Sequence, residues 1–416
     1  MQGILGSLFG YQPQNPNQLD WTVESFVQEF RLSSAADSKL SWVAGLYYSD
    51  SETENDQDFT EPGLTPIFGI PGPVYTMLFG SPPDVHFKGD VNNQQDQISV
   101  FGEVTYRFNE QWELLLGLRW FDWEQEFDLR FAGIFQGAEF IIDGEKTSAK
   151  EVTPKATLSY HANEDWMIYV NAAKGYRLGG ANDPVPAGLC AADLAATGLT
   201  QAPTTFDPDS LWSYELGSKA TLADGRVTLN AAVFKHEWED VQTLRRLPSC
   251  GFFFTENVGE VETNGVELEF SALLMEGMTV TLNGTYTDAG LAKDVPNISG
   301  EKGDQVPFTP ELAISGSIDY TWPLTDGLDG YVRFDVQYVD DRNTEFNTDR
   351  ADSIAMDSYQ IGNLHFGVIT ERWEAIIFVK NVWNEEAALG ATIDNGPSYW
   401  VMEQPQTYGL TVRANF

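Results

Sequence analysis

Apolar and polar residues alternate with a period of two along most of this chain, and that period commits it to strands rather than helices. The last stretch shows it most plainly. Tyr408, Leu410, Val412, Ala414 and Phe416 are apolar, while Thr407, Gly409, Thr411, Arg413 and Asn415 between them are polar or small. Successive side chains of a strand point to opposite sides, so such a segment has one apolar and one polar face. The pattern recurs with Ile98, Val100, Val104, Tyr106 and Phe108 against Ser99, Glu103, Thr105 and Arg107, and with Val332, Phe334, Val336 and Tyr338 against Arg333, Asp335 and Gln337. About fifteen strands are predicted, starting near Trp21, Leu40, Gln97, Trp112, Val152, Trp166, Leu211, Val227, Val261, Met278, Leu312, Tyr331, Tyr359, Glu374 and Thr407.

The connections alternate as well. Tight turns at Asn109-Glu110-Gln111, Asn163-Glu164-Asp165, Ala223-Asp224-Gly225, Glu276-Gly277 and Glu371-Arg372 take turns with long polar connections at roughly 52–94, 132–149, 180–209, 247–256, 291–307, 342–357 and 385–403. Short turns at one end and long loops at the other are the pattern of an antiparallel transmembrane β-barrel. The segment Glu61–Asp84 holds six prolines and reads as a rigid, irregular loop. In three places a Trp follows a short turn, with a Glu two residues before it: Trp112, Trp166 and Trp373. Trp favours a membrane–water boundary, where its ring is sheltered and its N–H stays wet, so these residues read as part of an aromatic girdle.

Composition narrows the function. The 416 residues carry 62 Asp and Glu against 24 Lys and Arg, a formal charge of −38. Nucleic acid rewards a basic patch, and this balance excludes it as a partner. Aromatics make up 13% of the chain and there are 37 glycines, which suits a sheet protein with many turns. No apolar run is long enough for a membrane-crossing helix, but a spanning strand needs only about 9–11 residues with every second one apolar. The first Lys or Arg is Arg31, so the N-terminus lacks the positive region of a signal peptide, and the true start is expected upstream.

Several segments resemble the TonB-dependent receptor family, in particular its siderophore-receptor-like members. Asn171-Ala172-Ala173-Lys174-Gly175-Tyr176-Arg177-Leu178-Gly179-Gly180 is similar to the family's Ser-Lys-Gly-Phe-Arg-x-Gly-Gly stretch. Ser213-Tyr214-Glu215-Leu216-Gly217-Ser218-Lys219 resembles its Tyr-Glu-x-Gly-x-Lys strand. Asn257-Val258-Gly259 with Asn264-Gly265-Val266-Glu267-Leu268-Glu269 resembles its Asn-x-Gly and x-Gly-x-Glu-x-Glu pair, and Val379-Lys380-Asn381-Val382-Trp383-Asn384 its Val-x-Asn-Leu-Phe-Asp. Phe416 resembles the terminal aromatic residue read by the barrel-assembly machinery. The resemblance runs from about Asp20 to the end. It implies an outer-membrane receptor that takes up a scarce ligand, such as a ferric siderophore, with energy delivered by the TonB system. Members of the family also carry a signal peptide, a coupling box and a plug inside a barrel of about 22 strands. None of those parts is visible here, so residues 1–416 are expected to be the C-terminal portion of such a barrel, incomplete and without a plug.

No catalytic centre, cofactor or metal site is predicted. The four histidines, His86, His161, His236 and His365, have no ligand-pair spacing, and no nucleophile motif accompanies them. Ligand contacts are expected from the outer loops and upper lumen, with Tyr176, Arg177, Phe252 and Tyr399 as candidates. Cys190 and Cys250 fall on consecutive outer connections, where an oxidising compartment permits a disulfide. Two acidic runs, Asp50 to Glu61 and Asp340 to Asp352, read as solvated loops that repel one another, the alternative being calcium or lipopolysaccharide held through divalent cations. Outer-membrane lipid and lipopolysaccharide are the expected surroundings. Other readings predict other signs: a passive porin-like barrel an even strand count that closes on itself, a soluble propeller blade repeats of about 40–45 residues, an outer-membrane enzyme a clustered nucleophile and base.

Overall fold

The protein is described here by a computed structural model covering residues 17–35, 38–67, 69–134, 137–350, 353–393 and 398–414. Fifteen strands form one sheet: β1 (Asn17–Ser33), β2 (Leu40–Thr60), β3 (Val85–Arg107), β4 (Trp112–Gly133), β5 (Gly137–Asn163), β6 (Trp166–Arg177), β7 (Asp209–Leu222), β8 (Val227–Leu247), β9 (Phe252–Met275), β10 (Met278–Leu291), β11 (Leu312–Thr325), β12 (Leu328–Val339), β13 (Tyr359–Ile369), β14 (Trp373–Lys380) and β15 (Thr407–Ala414). Every neighbour in the sheet is the neighbour in sequence, and every pairing is antiparallel. β1 and β15 stand at the two ends of the order.

Residues opposite each other on paired strands share a face, so the register shows what each face carries. One row runs Leu40, Tyr106, Leu114, Leu158, Val170, Leu216, Val233, Val266, Tyr286, Leu312, one residue per strand from β2 to β11. All ten are apolar. A second unbroken row runs Tyr408, Val379, Leu364, Phe334, Ile318, Val280, Ala272, Val227, Leu222. Tyr408, Leu410 and Val412 are all more than 60% exposed. A face this apolar and this exposed is unsuited to water. No described helix is long and apolar enough to cross a membrane, which leaves crossing by strands open.

The short turns are built by their own side chains. The Asn109 Oδ1 accepts the N–H groups of Gln111 (2.8 Å) and Trp112 (2.9 Å), and the Asn163 Oδ1 accepts that of Asp165 (2.9 Å). Thr370 does the same for Trp373 at 3.0 Å. These Asx and Thr turns set the strand start at the Trp. Trp112, Trp166 and Trp373 all lie on the apolar face at this end, in register with Tyr160, Ala220 and Ala414. At the Glu276-Gly277 turn a side chain is impossible: Gly277 has φ +76°, and a Cβ there would lie 2.0 Å from the Thr321 carbonyl oxygen.

The other end differs from the sequence expectation in two ways. The connection predicted at 52–94 is much shorter, because β2 continues to Thr60 and β3 begins at Val85; likewise β5 begins at Gly137 inside the predicted loop 132–149. Asp50, Glu52, Glu54, Asp56 and Asp58 are therefore strand residues rather than loop residues. Backbone pairing needs no apolar alternation, so strands continue where the apolar signal stops. Glu61–Asp84 is not irregular throughout either. It folds into α1 (Leu64–Ile67) and α2 (Gly72–Phe79), the latter starting behind Pro71 with Pro73 in its first turn, where a missing N–H costs nothing. A third helix, α3 (Ala191–Ala196), lies in the β6–β7 connection.

Candidate functional site

The long-connection end holds the buried cores. On β4 the alternation changes phase. Leu114, Leu116, Leu118 and Trp120 belong to the apolar outward face, but beyond them the apolar residues are Phe121, Trp123, Phe127, Leu129 and Phe131 on the opposite face, each at most 2% exposed. The outward positions between these are Asp122, Glu124, Glu126 and Asp128. The inversion marks a boundary: below it the outward face is apolar, and above it that face is charged while the inward face builds a core. Across β1 to β5 the charged zone reads Glu24, Glu52, Gln94, Glu126, Lys146 in one row and Asp20, Asp56, Asp90, Arg130 in another. Lys146 Nζ lies 2.9 Å from both Glu124 and Glu126, and these bonds hold its ammonium well above the ordinary lysine range. Among the described residues no group of His, Cys, Asp and Glu is placed to hold a metal ion.

Several loop clusters rise above the sheet, among them the β10–β11 connection, whose Val295 and Ile298 pack with Val241, Val258 and Phe346; two others form the caps that bear on the candidate residues. The first is the β2–β3 connection. Leu64 and Tyr75 are buried with Ile70, Phe79 and Ile134 around them. The Tyr75 hydroxyl donates to the Val85 carbonyl at 3.0 Å, and burial pushes its pKa up to about 12. Asp84 takes a left-handed conformation (φ +67°), and its carboxylate accepts the N–H groups of Thr65 (2.7 Å) and Gly63 (3.2 Å). Burial alone would raise the Asp84 pKa, but these bonds outweigh it and hold the carboxyl below its ordinary value. Glu61 and His86 are both fully buried here. Burial holds the His86 imidazole below its usual range, with the Glu61 charge opposing.

The second cap joins the β6–β7 and β8–β9 connections. Cys190 and Cys250 form a disulfide across 60 residues with their Cα atoms 5.3 Å apart, packed with Leu194, Leu247 and Phe254. Asn182 ties the two connections together: its amide donates to the Pro203 and Thr255 carbonyls (3.1 and 2.8 Å) and its Oδ1 accepts the Thr255 N–H at 2.7 Å. Asp193 accepts from the Ser249 N–H and hydroxyl at 2.9 and 2.6 Å.

The four candidate ligand residues occupy three places. Tyr176 stacks on Phe121, ring centroids 3.8 Å apart and planes 14° from parallel, and receives a 3.5 Å contact from Gln97 Nε2. Its neighbour Arg177 turns elsewhere. It donates through Nε to Asp209 (3.1 Å) and through Nη2 to the Gln242 carbonyl (3.1 Å), and it lies over the Trp238 ring at 5.0 Å. Arg177 is thereby a clamp between β6, β7 and β8. Phe252 opens β9 and is half-buried against the disulfide cluster. Tyr399 is 55% exposed on a separate hairpin, Ala388–Ile393 with Ser398–Met402, where it faces Thr392. Phe416 lies outside the described residues.

One group escaped the sequence reading. Arg119, on the polar face of β4, donates through Nη2 to the Ser99 hydroxyl at 2.9 Å and lies over the Tyr47 ring at 5.6 Å. Ser99 also receives Gln97 Nε2 at 3.2 Å, so hydrogen bonds link Arg119 through Ser99 and Gln97 to Tyr176. The period-two parity places Gln97, Ser99 and Arg119 on one face, but only the register sets Ser99 opposite Phe121 and beside Arg119.

Comparison with known proteins agrees with this architecture. Residues 4–395 match the family described as TonB dependent receptor-like, beta-barrel. The "Pesticin receptor" of Yersinia enterocolitica is 24% identical over 315 residues, which is 76% of this chain and 40% of that protein. The "Metal-pseudopaline receptor CntO" of Pseudomonas aeruginosa is 28% identical over 244 residues, 58% of this chain and 30% of that protein. Among solved structures, the ferric yersiniabactin uptake receptor FyuA from Yersinia pestis superposes with a TM-score of 0.76 at 19% identity, covering 96% of this chain and 55% of that one. The chain thus spans well under two thirds of the length of the relatives it matches. With a matched span that takes in nearly the whole sequence, the chain belongs to the TonB-dependent receptor β-barrel family, a family of transport receptors rather than enzymes.

Proposed function

We propose that this chain is a wall of an outer-membrane receptor that takes up a scarce ligand, a ferric siderophore in the first instance. The observation that carries the reading is the phase inversion on β4. It separates an apolar outward band, fit for lipid, from a charged outward zone backed by an inward core, fit for the exterior and its loops. The Trp residues at the short-turn end supply the opposite boundary. Relatives named as receptors for pesticin and metal-pseudopaline, and a solved receptor for ferric yersiniabactin, support a ligand of the metal-chelate class.

The fifteen strands run alternately, so β1 and β15 point the same way. Closing such a sheet with antiparallel pairs throughout takes an odd number of further strands. On this reading those strands, a plug and the contact with the TonB system come from sequence outside these 416 residues, and the chain is the C-terminal portion of the barrel. A passive porin-like barrel is the second reading; an odd count with β1 and β15 at opposite ends of the order counts against self-closure.

The test is binding against conductance. The chain, refolded in detergent and then placed in planar bilayers, is titrated with ferric chelates while tryptophan fluorescence and ion current are followed. Saturable quenching supports the receptor, whether or not current flows, because on this reading the plug that would block the lumen is not part of these residues. Steady current with no chelate binding would make the passive barrel the better account.

A further inference from the structure

The β6–β7 connection leaves the sheet through a narrow neck. Arg177 ends β6 and Asp209 opens β7, and the two are the last pair of that register. Beyond them the two arms stay zipped: Gly180 and Ala181 pair antiparallel with Phe206 and Thr205. The arms run so close that a Cβ on Gly179 would lie 2.4 Å from the Phe206 carbonyl oxygen. The Asp209 side chain is 2% exposed, and its carboxylate accepts from Arg177 Nε and from the Gln242 N–H, each at 3.1 Å. The neighbouring strands grip both arms. Gln242 on β8 donates its amide to the Leu178 carbonyl of the outgoing arm (2.8 Å) and to the Asp207 carbonyl of the returning arm (3.0 Å). Asn257 on β9 bonds Asp207 in both directions, donating to its carbonyl and accepting its N–H, each at 2.8 Å.

Further out, Asn182 joins this connection to Thr255 of β9, and the Cys190–Cys250 disulfide joins it to the β8–β9 connection. The neck and the disulfide thus constrain the same two connections from opposite ends. Such constraints are not independent. Ordering at the neck raises the local concentration of one cysteine at the other, and a closed disulfide lowers the entropy lost in ordering the neck; the coupling is reciprocal. Arg177 and Gly179 come from one of the stretches that resemble the family's motifs and Asn257 from another, and at the neck their side chains, or the lack of one, serve chain geometry. We infer that Arg177 is a positioning residue that couples the sheet to the disulfide cap. Through Asp209 and Gln242 it holds the neck where the two cysteines meet, and the redox state of the cysteines is returned to the neck. Any bearing on cargo rests on the uptake reading, through Phe252 packed in that cap, but the coupling is tested without cargo.

The measurement is a thiol–disulfide equilibrium. The refolded full chain and its Arg177→Ala, Arg177→Lys and Gln242→Ala variants are equilibrated with mixtures of reduced and oxidised dithiothreitol, then quenched with acid and their thiols counted. In the exchange, one dithiothreitol delivers two electrons and two protons to the S–S bond, leaving the Cys190 and Cys250 thiols and its own cyclic disulfide. Arg177→Ala is expected to be reduced about tenfold more readily, the scale of one hydrogen bond to a charged group. Arg177→Lys keeps the charge without the fork of donors and falls between. Gln242→Ala moves the same way by about threefold, and it carries the test if Arg177→Ala does not refold. Reciprocally, reducing the unmodified chain lowers the exchange protection of the Asp207 and Gln242 N–H groups. An unchanged equilibrium in the folded variants, or the same protection of those two groups in the reduced and oxidised chain, overturns the inference. If the equilibrium shifts while no ferric chelate binds, the coupling stands and the uptake reading falls; if chelates bind and the equilibrium does not shift, the uptake reading stands and the coupling falls.

Discussion

The two caps at the long-connection end do similar work by different means. The β2–β3 cap is one continuous stretch of chain that closes on itself. Its bonds are local: Asp84 to Thr65 and Gly63, Tyr75 to Val85, with prolines stiffening the path. The cap over β6 to β9 joins two connections from different hairpins, and it uses a disulfide together with Asn182 and Asp193 to do so. A single loop loses less entropy on ordering than two loops that must find each other, so the second cap needs the covalent link and the first does not. The difference also exposes them to different insults: the first cap to acid, the second to reductant.

The comparison can be broken from the larger effect to the smaller. Cys250→Ser opens a 60-residue covalent loop, and chain entropy sets the scale of the loss at about 4 kcal/mol. Limited proteolysis of the non-reduced chain and of the variant should show new cuts confined to 178–208 and 247–252, with the β2–β3 cap untouched; cuts spread over both caps would mean that they fold as one unit. Tyr75→Ala removes the centre of the first cap's core and should cost about 3 kcal/mol locally. Hydrogen exchange would then speed up over 61–85 alone.

Asp84→Ala deprives the Thr65 and Gly63 N–H groups of their acceptor and leaves an alanine in the left-handed region, a loss of about 1–2 kcal/mol. Asp84→Asn should recover part of it, and equal exchange rates in both variants would remove the carboxylate from the account. Because the folded Asp84 pKa lies below its ordinary value, its contribution is present above the ordinary carboxylate pKa and fades as pH falls through the folded one. The smallest effect belongs to His86. Its folded pKa is lowered from the ordinary 6.5, so below that pH the unfolded cap binds the proton more readily and the folded cap loses stability as pH falls. Protection factors in 61–85, which allow for the slower intrinsic exchange at low pH, should therefore fall between neutral pH and pH 5, and His86→Leu should flatten that slope. In the disulfide cap the sign is opposite: burial raises the Asp183 pKa above its ordinary value, so that cap gains stability as pH falls through the folded pKa.

Much of the sheet was legible in the alternation. Each of the fifteen predicted starts falls on a strand of the structure, and the Trp after three of the five short turns sits where the Asx or Thr turn releases the chain. Strand lengths beyond the apolar band were not legible. From Asp50 to Asp58 both faces are polar, and nothing in such a stretch distinguishes a paired strand from a loop. The six prolines of Glu61–Asp84 suggested irregularity, yet Pro71 and Pro73 lie where a helix begins. The inversion after Trp120 was there to be read, since Phe121, Trp123 and Phe127 leave the phase kept by Leu114, Leu116 and Leu118.

By itself, the sequence determined the period, the faces and the order of turns, because side-chain direction along a strand depends only on counting by two. Only the tertiary structure decided what lies beside what. Register brought Ser99 and Tyr47 to Arg119; folding of two distant connections set Cys190 within reach of Cys250; and the closing of the first cap buried His86 beside Glu61. These are contacts across strands and between loops, and their energies come from pairings that no local pattern encodes.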